Sequence, residues 1–363
     1  MHFSDRLANW KNRLIASSRF QTFAISNPLL RPVALRKAAA SFDLVAGFVY
    51  SQILQAVVEA GLLERAREQP LDAADLAGET GWTTDGAERL LRAAAALDLL
   101  RQQADRRYGL GETGAGLLGN PPVFAMVRHH KALYSDLTDA AGLLSARRSD
   151  TELSQYWAYD QCSDPSAARV YSALMAETQS LIAEQILSAN DLSSCRCLMD
   201  VGGGLGAFIE KAGARYAHLQ LRLIDLPQVA AMARERLGGH LLSGRLEILG
   251  LDALTEALPR GADAVTLVRV LHDHDDGPAL QLLQNVRAAL PSGGRLIIAE
   301  PLAGVRGAKR MGDAYFGMYL WAMGRGKPRT FDEMRALLRQ AGFPVARLRR
   351  THNPLLVSCV TAH

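Results

Sequence analysis

The chain has 363 residues, 48% of them hydrophobic and 21% charged, which excludes a disordered polymer and leaves room for two or three folded units. Its net charge of +4 is small but unevenly placed. Of four cysteines, the nearest pair is spaced C-R-C at Cys195 and Cys197. That matches neither a zinc pattern nor a disulfide framework, so a reducing cytosol and no structural metal are expected.

The N-terminus carries Asp5, Arg6, Lys11 and Arg13, which a secretory signal would not tolerate. Residues 1–40 hold Arg6, Lys11, Arg13, Arg19, Arg31, Arg36 and Lys37 against Asp5 alone, a net of +6, so the remainder of the chain sums to −2. These bases alternate with Phe3, Leu7, Trp10, Leu14, Phe20 and Phe23 at roughly helical spacing. Two readings are open: a segment peripheral to an anionic membrane, or a solvated arm or a segment packed on its own or a partner's body. The SNP and RP dipeptide breaks at Ser26–Pro28 and Arg31–Pro32 are expected to interrupt it. The charge-free run LVAGFVYSQILQAVV, Leu44 to Val58, is 15 residues long. A spanning helix needs about 20, so a buried helix is expected, one long enough to favour a homodimer.

From 41 to 120 the pattern is helix, helix, wing. LDAADLAGETG precedes TTDGAERLLRAAAALDLL, capped by Thr84 or Asp85, with Leu90, Leu91, Ala94, Leu97 and Leu100 on one face. RQQADRRYGLGETGAGLL follows as a β ribbon. Winged helices often bind DNA, but the would-be recognition helix has Arg89 and Arg92 against Asp85, Glu88 and Asp98. Its net of −1 cannot neutralise phosphates, so no nucleic-acid partner is expected.

Residues 121–190 read as a helical connector. From 191 to 363, CLMDV, LQLRLIDL, RLEILG, DAVTLVRVL and GRLIIAE are strands rich in Val, Ile and Leu, as in a parallel sheet buried on both faces. VARLRRTHNPLLVSCVTA reads as two strands closing an edge. The expected fold class is therefore α/β: a Rossmann-like C-terminal sheet preceded by a helical winged-helix domain.

The first strand enters DVGGGLGAF, Asp200 to Phe208. Two templates fit: Gly202, Gly204 and Ala207 as a loose dinucleotide fingerprint, or Asp200, Gly202, Gly204 and Gly206 as the loop of S-adenosylmethionine-dependent methyltransferases. A carboxylate at 200 repels a pyrophosphate and suits an ammonium. Asp225, followed by Leu226, ends the second strand where a carboxylate can take both ribose hydroxyls. Asp252, followed by Ala253, ends the third, in position for an adenine amino group. Each could instead cap a helix; together they favour a nucleoside site.

The fourth strand runs into HDHDD, residues 272–276. A metal site, a proton-transfer site and a polar turn all suit such a cluster. Metal ligands usually come as a helical i, i+4 pair or with open spacing. A general base needs one imidazole oriented by a carboxylate, and His272 with Asp273 or with Glu300 from the fifth strand supplies it. His274, Asp275 and Asp276 read as the cap and first turn of the next helix.

DVGGGLGAF, IDLP, HDHDD, IIAEP and GKPRTFDEM resemble the winged-helix-containing O-methyltransferases, the group that includes plant phenolic enzymes. GFVYSQ, LVRVLHDHDD and GDAYFGMYLWAMGRGKPRT are similar to a narrower branch, the carotenoid 1-hydroxyl methyltransferases of purple phototrophic bacteria (hydroxyneurosporene or demethylspheroidene type). The resemblance implies S-adenosyl-L-methionine as cofactor, His272 as base, Glu300 as its orienting partner, Asp225 on the ribose and Asp252 on the adenine. Two positions depart from the plant pattern: His274 stands where it has Trp, and Pro328 where it has a second orienting Glu. A basic cofactor contact of the plant group falls at Val268, with Arg269 beside it as the candidate. The implied acceptor is a hydroxycarotenoid. Tyr171, Met175, Tyr315, Phe316, Tyr319 and Met323 are candidate pocket walls, though Tyr315 and Tyr319, at i and i+4, fit ordinary helix core equally. A lipid-borne acceptor would give residues 1–40 a purpose at the membrane surface.

Overall fold

The computed structural model describes residues 3–120, 122–147, 149–157, 179, 181–238, 242 and 244–363, in two units, Met1–Asn120 and Pro121–His363. The first begins with helices Phe3–Ile15, Ser18–Ser26 and Arg31–Glu59. The SNP segment does separate helices, with Asn27 Oδ1 accepting the Leu29 N–H at 2.9 Å. The RP dipeptide does not. Pro32 lies in the first helical turn, where its missing N–H has no partner to lose, so it opens a helix of 29 residues.

The expected burial of Leu44–Val58 holds only at its end. Val57 and Val58 reach the core, whereas Phe42, Leu44, Val45 and Phe48 are 63–80% exposed. The small helical body behind this helix supports its last turns, and among the described residues the apolar surface from Phe42 to Phe48 is left exposed. By length and composition alone the helix could cross a bilayer.

Helices Ala73–Thr80 and Thr84–Ala96 follow. Asp72 caps the first, and Thr83, one residue earlier than expected, caps the second by accepting the Gly86 N–H at 3.1 Å. Ala87, Leu91 and Ala94 form its buried face. Strands β1 (Leu100–Gln102) and β2 (Tyr108–Leu110) pair antiparallel as the wing. The expected ribbon stops there, because GETGAGLL winds into helix Glu112–Leu118.

The second unit starts with helices Pro122–Asp136, Ala140–Ser145 and Glu152–Tyr156, and a further helix covers residues 181–189. The sheet comprises β3 (Cys197–Val201), β4 (Gln220–Asp225), β5 (Leu246–Gly250), β6 (Ala264–Val268), β7 (Arg295–Glu300), β8 (Ala346–Arg349) and β9 (Ser358–Ala362). Its order is β5-β4-β3-β6-β7-β9-β8. β3 to β7 run parallel, and β9 is antiparallel to both β7 and β8.

Alternate residues feed two apolar layers. Met199, Val201, Val265, Leu267 and Ile298 pack on one face, and Leu198, Leu221, Leu223, Ala264 and Ile297 on the other. Chain direction from β3 leads one way and from β6 the other, so the strand order reverses between these neighbours. That is where an open α/β sheet forms a ligand crevice, at the carboxyl ends of its strands.

Candidate active site

A cavity of about 300 Å³ occupies this crevice. Gly202 and Gly204 form one side, and Asp225, Leu226, Asp252 and Ala253 the ends of the next two strands. Gly202 adopts a φ of +70°, and a Cβ there would lie 2.6 Å from Val270 Cγ2. Only glycine permits that backbone course beside the cavity. The carboxylate of Asp225 accepts the N–H of Gly204 at 2.7 Å and of Leu226 at 2.8 Å. This fixes both oxygens at the cavity edge while leaving lone pairs for a diol. Burial pushes its pKa up to about 6, against those backbone donors.

Asp252 has a double use. Its carboxylate takes the Leu254 N–H at 2.9 Å and the Thr255 hydroxyl at 2.8 Å, closing a turn, while the residue lines the cavity. Asp200 is placed differently from the expectation. It is 1% exposed, does not reach the cavity lining, and accepts the Thr266 hydroxyl from directly across β3 and β6 at 2.6 Å. Its other oxygen has no hydrogen-bond partner among the described residues, and burial pushes its pKa up to about 7. Gly206 likewise stands off the lining. At φ +83° it opens helix Ala207–Arg215, where a Cβ would meet Leu237 at 2.5 Å.

After β6 the chain turns through Arg269, a non-glycine residue at φ +58°, into a short 3₁₀ turn, Leu271–Asp273. Strain of this kind collects at functional turns. Glu300, ending β7, holds the turn: Oε1 accepts the N–H of Val270 at 3.1 Å and of Leu271 at 2.8 Å, and Oε2 meets His272 Nδ1. The other ring nitrogen, Nε2, lies 3.1 Å from Asp273 Oδ1. Burial alone would lower the His272 pKa, but the carboxylates of Asp273 and Glu300 outweigh it and hold the value above that of an ordinary histidine. Asp273 is itself shifted up by burial, with His272 opposing.

His272 is 6% exposed behind the cavity, and Arg269, Asp273 and His274 face it. His274, expected as a helix cap, therefore belongs to the cavity wall. Asp275 is the N-cap and Asp276 opens the first turn of that helix, as expected of them. Among the described residues no three His, Cys, Asp or Glu side chains gather as metal ligands.

Against the other side of His272 stands an aromatic wall. Phe316 meets its ring edge-on at 5.9 Å, Tyr315 stacks on Tyr319, and Met323 is buried in the same cluster. Tyr171 and Met175 lie outside the described residues.

The O-methyltransferase domain profile matches residues 151–344, and the O-methyltransferase dimerisation domain matches residues 42–120. The chain belongs to the O-methyltransferase family. It is an S-adenosyl-L-methionine-dependent O-methyltransferase, and its dimerisation domain supports a homodimer. It is 41% identical to the demethylspheroidene O-methyltransferase of Cereibacter sphaeroides, over 96% of this chain and 93% of that one. Its identity to the demethylspheroidene O-methyltransferase of Rhodobacter capsulatus is 37%, over 98% of this chain and 89% of that one. The solved mitomycin 7-O-methyltransferase superposes with a TM-score of 0.76 at 26% identity, covering 91% of this chain and 99% of its own.

The methyltransferase also carries site residues that the sequence pattern did not reveal. Gln179 and Arg325 line the cavity of the crevice. Arg329, 2% exposed, donates to Leu271 O at 2.8 Å, to His274 O at 2.7 Å and to Asp276, clamping the turn that bears His272. His129 and His130 bond the hydroxyls of Tyr319 and Tyr315 at 2.6 and 2.7 Å. Arg325 and Arg329 sit in a stretch, GRGKPRT, whose basic residues could have been tested as loop clamps. The two histidines gave no local signal.

Proposed function

We propose that this enzyme methylates the tertiary 1-hydroxyl of an acyclic hydroxycarotenoid, with His272 as general base. The acceptor class rests on likeness to two demethylspheroidene O-methyltransferases across nearly the whole chain. The base rests on one observation: a buried imidazole held by Glu300 through Nδ1, with Nε2 turned to Asp273 on the cavity wall.

The residues fit the cofactor assigned to the family. Asp225 would hold the ribose, Asp252 and Ala253 the adenine, Gly202 and Gly204 would let the backbone approach, and Arg269 would face the amino-acid end. When bound, S-adenosylmethionine supplies a methyl on a positively charged sulfur, and that sulfur leaves with the bonding pair. A tertiary alcohol is too weak an acid to be ionised beforehand by imidazole. His272 Nε2 instead accepts its proton as the new C–O bond forms. Glu300 keeps Nδ1 protonated, so that Nε2 is the accepting nitrogen, and Asp273 pairs with the imidazolium that results. Phe316 and Tyr315 supply apolar surface against which a polyene end can be fixed, since orientation is the larger part of an in-line displacement.

This reading makes the protein a cytoplasmic homodimer peripheral to the inner or photosynthetic membrane, touching it through residues 1–40. The test is incubation with methyl-labelled cofactor and a panel of hydroxycarotenoids, phenols and tetrapyrroles. Label should enter a 1-hydroxycarotenoid with wild type and vanish with His272→Ala while cofactor binding persists. Preferential labelling of a phenol, or an active His272→Ala enzyme, overturns the acceptor or the base respectively.

A further inference from the structure

We infer that helix Phe3–Ile15 lies in the interface of an anionic lipid bilayer, with Leu7, Trp10 and Leu14 inserted. Leu7, Trp10 and Leu14 recur at helical spacing and share one face. They are 56%, 62% and 37% exposed, so the described residues of the chain leave this stripe uncovered. The charges are arranged around it. At about 100° per residue, Arg6 and Arg13 fall roughly 70–90° to one side of the stripe and Lys11 roughly 70° to the other, while Asp5 lies on the far side. Long basic side chains on both borders of an apolar stripe can lay their stems along it and put their heads among lipid phosphates.

A second copy of the chain is the competing occupant. The exposed apolar surface from Phe42 to Val49 lies within the dimerisation domain, which starts at residue 42. The Leu7–Trp10–Leu14 stripe lies before it, in the segment of net +6. A like-charged copy would bring those bases against each other, whereas an anionic surface complements them.

This deepens the membrane contact proposed above. Its test contains no acceptor, so its failure and the failure of the carotenoid assignment are told apart. The full chain is sedimented with vesicles of phosphatidylcholine alone and of phosphatidylcholine mixed with phosphatidylglycerol, at low and high salt. Binding is expected to the anionic vesicles only, weakening with salt. Replacing Arg6, Lys11 and Arg13 together with Gln should reduce it on the order of a hundredfold, at about 1 kcal/mol per base. Leu7→Ser with Trp10→Ser should also abolish it, with oligomeric state by light scattering unchanged. Equal binding to both vesicle types, or retained binding by the triple Gln variant, overturns the inference. So does dissociation of the oligomer by the Leu7→Ser, Trp10→Ser variant, which would assign the stripe to a second copy.

Discussion

Replacing Glu300 by Gln tests the catalytic geometry with almost no change in shape. In the native site Oε1 accepts the N–H groups of Val270 and Leu271, and Oε2 faces His272 Nδ1. The two backbone donors fix which end of a glutamine goes where, because only its carbonyl oxygen can accept from them. The amide NH₂ must then point at Nδ1, which has to become an acceptor. The imidazole proton moves to Nε2, the nitrogen that has to be free to take the acceptor's proton. A wrong tautomer in an otherwise intact histidine site has an effect on the order of 10⁴-fold, and general-base catalysis as a whole contributes about 10²–10⁴-fold. A fall in kcat of about 10²–10⁴ is therefore expected. Cofactor affinity, measured by calorimetry, should hold, because Glu300 is 1% exposed and does not line the cavity. The pH profile should move too. Glu300 helps raise the His272 pKa, so the rise in activity with pH that accompanies loss of the imidazolium should shift to lower pH in whatever activity remains. A variant with kcat within about threefold of wild type and an unshifted profile would refute the assignment of His272.

Two further outcomes concern the scaffold of the site. Arg329→Met removes the buried guanidinium that donates to the carbonyls of Leu271 and His274, so thermal or denaturant unfolding should show a loss of about 1–3 kcal/mol, and Arg329→Lys should recover only part of it. A stability unchanged within error would show that the clamp is dispensable. Asp200 is buried with a carboxyl pKa pushed up to about 7, so the folded state holds a proton that the unfolded chain releases near pH 4. Its contribution to stability is full below about pH 4 and is lost as pH rises towards 7. Asp200→Asn should flatten that decline in melting temperature; an identical decline in the variant would contradict the shift.

The sheet was legible because its strands are buried on both faces, so CLMDV, DAVTLV and RLIIAE stand out as continuous apolar runs whatever their neighbours. Asp225 and Glu300 were legible for a related reason: a carboxylate closing such a run has nowhere to go but the strand end. The same argument misplaced Asp200, which lies one residue inside the end of β3. There its side chain points at its cross-strand partner, Thr266, and only the register between two strands far apart in sequence reveals that. The long N-terminal helix was misread for the opposite reason. Pro32 followed by an apolar run looks like a break and a core segment, yet a proline in the first turn starts a helix. Nothing in the pattern of apolar residues says that Phe42 and Phe48 stay exposed.

The pocket wall was the least legible part, and Tyr315 and Tyr319 show why. Spacing of i and i+4 puts both on one helix face, and periodicity cannot then separate core from pocket. The structure separates them by partners brought from elsewhere. Tyr319 is 3% exposed, and its hydroxyl already accepts the indole N–H of Trp157 at 2.9 Å while bonded to His129. Burial lowers the His129 pKa to about 4, so this imidazole is neutral and its free nitrogen takes the Tyr319 proton. With donor and acceptor both engaged, Tyr319 builds the wall. Among the described residues the Tyr315 hydroxyl bonds to His130 and the side chain is less buried, so it is the tyrosine with capacity left for a ligand. Spacing fails here for a further reason. Arg310–Phe316 is a π-helix, in which each turn is wider than the 3.6-residue period assumes. Residues counted onto the helix face by that period are displaced around it, and Phe316, the last residue of this turn, stands edge-on to the His272 ring.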